Sequence, residues 1–307
     1  MIYRRLLCAI FVARTENLTK LYNNRIGIDS LTLEVEPGEV FGFLGLDGAG
    51  KTTTIRLLMD LIRPTSGRAL LFGMDSHAQS VHIRKLVGYL PAQLSLPRFT
   101  NGANVLRYFS NLRGGVPAGK IEHFAERLNV NLNVPIQRLD ESDTFKIGLV
   151  QALMHDPELL ILDEPTRFLD DAGREALYEI IAEVRREGRT VFISSRSLGE
   201  MERIADRVGV IHRGKLVTVE RGVHLRAKAF REVELQFAGP VPHEVFESQP
   251  SLRNLRWQEN RLHCFVTGDP QALLELARKQ NEVMDFKARQ PSLEEAFSQY
   301  YGVGYAG

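Results

Sequence analysis

The chain has 307 residues, 25% of them charged and 44% hydrophobic, with a formal net charge of +1. This is the composition of an ordinary globular protein, long enough for two domains. It gives no electrostatic case for binding nucleic acid or a membrane surface, and no run approaches the ~20 apolar residues that span a bilayer. The two cysteines, Cys8 and Cys264, lie far apart, so no disulfide framework or cysteine metal site is expected, in keeping with a reducing cytoplasm.

Met1 to Val12 carries two arginines, and the apolar run Leu6 to Ala13 follows them. The run is short for a secretory signal and no small-residue cleavage site follows, so the segment reads as an extra stretch before the first strand. Residues 14–44 alternate strands with turns. Tyr22-Asn23-Asn24 is a turn, Ile28 to Val35 an edge hairpin arm ending at Pro37-Gly38, and Glu39 to Leu44 a buried strand. Two readings of Tyr22 stand, a packed surface aromatic or a ring that stacks on adenine.

The next stretch is Gly45-Leu46-Asp47-Gly48-Ala49-Gly50-Lys51-Thr52-Thr53, which fits the phosphate-binding pattern G-x-x-x-x-G-K-[ST]. Its glycines let backbone N–H groups turn inward on phosphates, and the helix that follows adds partial positive charge. Lys51 reaches the terminal phosphates and Thr52 ligates Mg²⁺. Thr52 to Arg63 has helical apolar spacing and is stopped by Pro64. Short strands at Arg68 to Phe72 and Leu86 to Leu90 enclose a short helix, and Pro91 to Pro97 is a loop. Residues 102–155 are mostly helical, with breaks at Gly114-Gly115 and Asn131 to Pro135.

The apolar strand Leu159-Leu160-Ile161-Leu162 ends in Asp163-Glu164-Pro165. An acid pair at a strand end, downstream of a phosphate loop, supplies a Mg²⁺ ligand (Asp163) and a group that orients the attacking water (Glu164). Asp171 to Glu187 is an amphipathic helix, Thr190 to Ser195 a buried strand, Glu200 to Arg207 a helix, and Val208 to Val219 a hairpin around Arg213-Gly214. Strands alternating with helices predict an α/β sheet covered on both faces. A second unit starts near residue 222. It has strands at Val233 to Phe237, Leu252 to Trp257, Leu262 to Thr267 and Val283 to Ala288. One helix starts at Asp269-Pro270 and runs through Lys279, and a capping box at Ser292-x-x-Glu295 opens another to Tyr301. No catalytic constellation is visible in this small α+β unit, and His243 and His263 read as surface or packing residues.

These motifs resemble the ATP-binding subunits of ATP-binding cassette (ABC) transporters. The similarity is to the drug- or polysaccharide-export class, whose separate membrane subunit is an ABC-2 type permease. It rests on Gly45 to Thr53, Leu159 to Thr166, Leu169-Asp170, the run Glu202 to Val217 and the ending Pro291 to Gly302. The resemblance implies an α/β P-loop NTPase cassette over residues 1–221, with a helical subdomain at about 95–155. An accessory α+β domain would cover 222–307. It also implies ATP and Mg²⁺ as ligands, a homodimer or a heterodimer with another ATP-binding subunit, and a permease partner. That places the chain peripherally on the cytoplasmic face of the membrane, with no nucleic acid.

The resemblance assigns residues as well. Tyr22 stacks on adenine, Gly45 to Thr53 hold the phosphates, and Gln93 (or its neighbour Ala92) is the Q-loop residue that touches Mg²⁺. Asp163 holds Mg²⁺, Glu164 is the catalytic base, and Asp170 is the D-loop aspartate at a dimer interface.

Two departures from the family pattern stand out. The signature LSGGQ aligns with Leu139-Asp140-Glu141-Ser142-Asp143, where three of five positions are acidic. A carboxylate ~4 Å from a phosphate charge costs about 4 kcal/mol at an effective dielectric of 20. The acids do suit a helix start, with Asp140 as N-cap. The H-loop histidine is replaced by Arg196, a donor that cannot act as a base and that either clamps the γ-phosphate or turns to solvent.

In a head-to-tail homodimer the acids would face Arg196 across the interface, near Arg167. Either the two changes compensate there, or both are drift in a subunit released from hydrolysis. The expected function is an ATPase of low or partner-dependent activity that couples ATP binding to export. The alternatives are a non-hydrolysing regulatory subunit or the degenerate half of a heterodimeric pair. A soluble cassette protein acting on ribosomes or DNA is disfavoured by the single cassette and the lack of a basic tract. A small-molecule kinase is disfavoured by the run Glu202 to Val217.

Overall fold

The computed structural model describes residues 11–23, 25–221 and 230–289. The expectations placed on the first ten residues, on the Ser292 capping box and on Pro291 to Gly302 lie outside the described residues. The chain divides into two compact units, residues 1–220 and 221–307.

In the first unit, β1 (Ala13–Tyr22) and β2 (Arg25–Val35) form a long hairpin that pairs through β1 with β4 (Ser66–Leu71), which continues to β5 (Met74–Asp75). This sheet is antiparallel, in the order β2-β1-β4-β5. A six-stranded sheet, ordered β10-β9-β3-β8-β7-β6, carries the chemistry. Its strands are β3 (Val40–Leu44), β6 (Val87–Leu90), β7 (Leu159–Asp163), β8 (Thr190–Ser195), β9 (Arg207–His212) and β10 (Lys215–Arg221). Every residue of β3, β7 and β8 is buried, as their near-continuous apolar runs require of parallel strands covered on both faces. Pairings β6–β7, β7–β8, β8–β3 and β3–β9 are all parallel. The loops after β3, β6, β7 and β8 therefore leave from one edge of the sheet, the place where open α/β sheets bind ligands.

The helices are α1 (Lys51–Leu58), α2 (Ser80–Leu86), α3 (Gly102–Leu112), α4 (Ala118–Arg127), α5 (Glu141–Leu153), α6 (Asp171–Arg186) and α7 (Leu198–Ile204). Helix α1 stops well before Pro64. Asp60 adopts a left-handed φ of 53° and the N–H of Leu61 closes back on the Arg56 carbonyl at 2.8 Å, a C-terminal closure that needs no proline. Helix α7 starts two residues earlier than its apolar spacing suggests, because Ser197 caps it by accepting from the Glu200 N–H. The break expected at Asn131 to Pro135 extends to Leu139 and includes one 3₁₀ turn, Ile136–Arg138.

In the second unit β11 (Phe230–Phe237), β12 (Leu252–Gln258), β13 (Arg261–Thr267) and β14 (Val283–Arg289) form an antiparallel sheet, ordered β12-β13-β11-β14. Helix α8 (His243–Glu247), too short to show a period, and α9 (Pro270–Arg278) supply Phe246, Leu273 and Ala277 to its core with Val233, Leu235 and Cys264. His243 stacks on Trp257 with ring centroids 3.8 Å apart, a packing role.

Candidate functional site

The phosphate loop joins β3 to α1. Gly48 and Gly50 take φ values of 76° and 113°, which L side chains rarely adopt. A Cβ on Gly50 would also stand 2.7 Å from the Gly27 carbonyl. Lys51, buried at 4% exposure, donates to the carbonyls of Gly45 (2.6 Å) and Leu46 (2.9 Å) and pairs with Glu164 Oε1 at 3.0 Å. Its ammonium is thus held at the loop by two carbonyls and a carboxylate.

Strand register then joins the other parts. Asp163 at the end of β7 lies beside Ser194 of β8, and Leu44 of β3 lies beside Ser195. The buried Ser194 hydroxyl donates to Asp163 Oδ1 at 2.6 Å and accepts from the Glu164 N–H at 3.0 Å. Glu164 itself sits at a φ of 50°, a strained conformation that this bond helps to hold. Asp163 is fully buried and its Oδ2 has no hydrogen-bond donor. Burial pushes the Asp163 carboxyl up, and the Ser194 and Thr52 hydroxyls pull it back. A buried carboxylate oxygen without a donor, beside a threonine hydroxyl, is what a hard divalent cation requires. The residues present therefore fit Mg²⁺.

A cleft of about 410 Å³ unites Tyr22, the phosphate loop, Ala92, Gln93, Asp163 and Glu164. Tyr22 lies at the rim, 41% exposed, with its ring against Gly27, where an added Cβ would come within 2.7 Å of it. Lys20 Nζ lies 5.3 Å from the ring centroid. The cleft also takes in Arg56 and Tyr89, which sequence reasoning passed over, and Arg167, which it named only as a neighbour of Arg196 at a dimer interface. Arg56 stands four residues after Thr52, on the same helix face. Tyr89 is the one polar side chain in β6, and burial, then the Asp163 charge, pushes its hydroxyl up to about 12. Arg167 has no such local signal beyond its closeness to Glu164.

The two altered motifs take definite positions. Asp140 caps α5 by accepting from the Asp143 N–H at 2.7 Å. Asp143 lies 3.6 Å from the ammonium of Lys146, which is only 5% exposed and stands 3.7 Å from Asp170. Asp170 in turn caps α6 through the Gly173 N–H. The Ser142 hydroxyl is buried without a partner. Arg196 is exposed and does not line the cleft. It pairs with Asp47 of the phosphate loop, Nη1 to Oδ2 at 3.2 Å. The expected pairing of Arg196 with the acids of α5 across a dimer thus has rivals within the chain.

Comparison with known proteins identifies the family. The family profile of the ABC transporter matches residues 28–167. The bacitracin transport ATP-binding protein BcrA of Enterococcus faecalis is 32% identical over 304 residues, spanning 96% of this chain and 97% of that protein. Nod factor export ATP-binding protein I of Rhizobium etli is 30% identical over 294 residues, spanning 93% and 92%. Among solved structures, an ATP-binding subunit of an ABC transporter superposes with a TM-score of 0.63 at 24% identity over 68% of this chain and 90% of that one. A dimeric bacterial ABC transporter cassette gives 0.64 at 18% identity over 68% and 98%. The chain belongs to the ATP-binding subunits of ABC transporters of the drug and export type.

Proposed function

We propose that this subunit binds MgATP in the cleft between Tyr22 and Glu164 and couples that binding to export through a separate ABC-2 type permease, with weakened hydrolysis. In this reading residues 1–221 are the working cassette and 222–307 an accessory domain. The subunit sits on the cytoplasmic face of the membrane, paired with a second cassette as homodimer or heterodimer. Among the described residues no helix is long and apolar enough to cross a membrane.

Each residue's part follows from its surroundings. Tyr22 offers a rim platform for adenine. The loop N–H groups and Lys51 take the phosphates, and Lys51 exchanges the Gly45 and Leu46 carbonyls for phosphate oxygens. Thr52, Asp163 and Gln93 would hold Mg²⁺, which when bound neutralises charge on the phosphate oxygens. Glu164, released from Lys51 by the incoming phosphate, orients the attacking water, and its backbone is fixed by Ser194.

The observation that supports weak turnover is the start of α5. A facing site needs donors from that helix end. Here Asp140 has taken the Asp143 N–H for itself, and Asp143 and Glu141 add charge of the wrong sign. The isolated protein is expected to bind ATP yet turn it over more slowly than about 1 s⁻¹, the low end of ordinary enzymes. Restoring a neutral helix start with Asp140→Ser, Glu141→Gly and Asp143→Gln should raise turnover, and Glu164→Gln should abolish the gain. Fast turnover by the unaltered protein would overturn the reading, as would a repaired helix with no gain in rate.

A further inference from the structure

Asp47 is a carboxylate inside a phosphate-binding loop, and Arg196 is the residue it meets. Asp47 stands three residues beyond Leu44 of β3, and Arg196 one beyond Ser195 of β8, and these two strand ends lie side by side. A backbone bond from the Gly45 N–H to the Ser195 carbonyl, 3.2 Å, ties the loops at their roots. The pair is therefore placed by the sheet. Asp47 lines the cleft with Lys51 and Thr52, whereas Arg196 reaches it only through Asp47.

The chemistry of the two groups sets up a competition. An unpaired carboxylate ~6 Å from a phosphate charge weakens binding by something of the order of tenfold at a partly exposed site. Arg196 offsets that charge. Yet the contact is single, not forked, and both side chains are exposed, 58% for Arg196 and 72% for Asp47. Exposed pairs of this kind hold within a factor of about five. A terminal phosphate presents more negative charge and three acceptor oxygens to the planar guanidinium, so it is the stronger partner.

We propose that Asp47 and Arg196 together set discrimination between ATP and ADP: Arg196 rests on Asp47 and is recruited by the γ-phosphate, which ADP lacks. This rests on the nucleotide-site reading above and names two specificity-determining residues within it. Because both side chains are exposed, substitutions there leave the fold intact. Lys51, in contrast, governs the site as a whole.

The test is equilibrium binding of a non-hydrolysable ATP analogue and of ADP to the full chain, with the ratio of the two affinities as readout. Arg196→Ala should lower the ratio about tenfold, mostly by weakening the analogue. Asp47→Asn, which removes the competitor, should raise it by a factor within about five. The double variant should lie between the two, above Arg196→Ala alone because the repelling carboxylate is gone, and below the starting ratio because the γ-phosphate clamp is gone. An unchanged ratio in Asp47→Asn overturns the competition, as does a double variant no better than Arg196→Ala. Lys51→Ala separates this from the site reading. It should weaken both nucleotides together, and failure there overturns the nucleotide site itself.

Discussion

Ser194→Ala should unsettle the acid pair without replacing any residue assigned to the nucleotide. One hydroxyl serves two partners, donating to Asp163 Oδ1 at 2.6 Å and accepting from the Glu164 N–H at 3.0 Å. A hydrogen bond to a buried charge contributes about 1.5–3 kcal/mol, and a buried donor left unpaired costs about 1–3 kcal/mol. The two losses share an atom and do not simply add, so a loss of about 3 kcal/mol at neutral pH is expected. For a unit of this size that is a fall of roughly 6–12 °C in Tm. The pH dependence identifies the cause. Burial raises the Asp163 carboxyl and Ser194 pulls it back, so removing the hydroxyl raises it further. A carboxyl raised in the folded state contributes stability below its unfolded value and loses it as pH rises through the folded value. The deficit of the variant therefore grows as pH rises and Asp163 gives up its proton, and shrinks on acidification. Thermal melts of wild type and variant without nucleotide, from about pH 8 to about pH 5, measure this. An unchanged Tm at neutral pH, or a deficit independent of pH, refutes the reasoning.

Lys146→Met should destabilise the chain by about 1–2 kcal/mol, measured by denaturant unfolding. The figure is kept low because Asp143 and Asp170, whose charges the lysine offsets, are 35% and 60% exposed. Lys146→Arg should recover most of the loss. His155, whose Nε2 lies 3.3 Å from the Val87 carbonyl, is driven down to about 4 by burial and then by the Arg113 charge. Its neutral form contributes stability that is complete above the unfolded value of about 6.5 and is lost as pH falls toward 4. His155→Gln should flatten that slope by about 2 kcal/mol, a figure reduced from the full shift for partial exposure and measured as unfolding free energy against pH.

Features fixed within a few residues could be read from the chain itself. The glycines of Gly45 to Gly50, the lysine that follows, and the acids after an apolar strand each state their purpose locally. Asp140 could likewise be read as a cap from its place before α5. What could not be read is adjacency. Strand β3 lies between β8 and β9, both more than 140 residues later, and nothing near Val40–Leu44 announces it. Ser194 becomes the partner of Asp163, and Tyr89 its neighbour, only once register places them together. Helix α1 is shorter than its apolar spacing for a different reason. Pro64 is a visible stop, but the left-handed Asp60 and its backbone closure end the helix first.

Adjacency also changes how the two altered motifs relate. In sequence, three acids at one motif and an arginine at another suggest charges that meet across a dimer. Within the chain, two of the acids and the arginine already have a use. Asp140 is spent on the cap of α5, Asp143 shares the Lys146 ammonium with Asp170, and Arg196 rests on Asp47. A pairing of Arg196 across an interface has to break its contact with Asp47, and exchanging one exposed ion pair for another yields little net free energy. The γ-phosphate is a better reason for Arg196 to leave Asp47 than a second copy of the acidic helix. Under the proposed function, the acids of α5 would act by withholding donors from a facing nucleotide, leaving its binding to what Lys51, Asp163 and Arg196 supply from their own side.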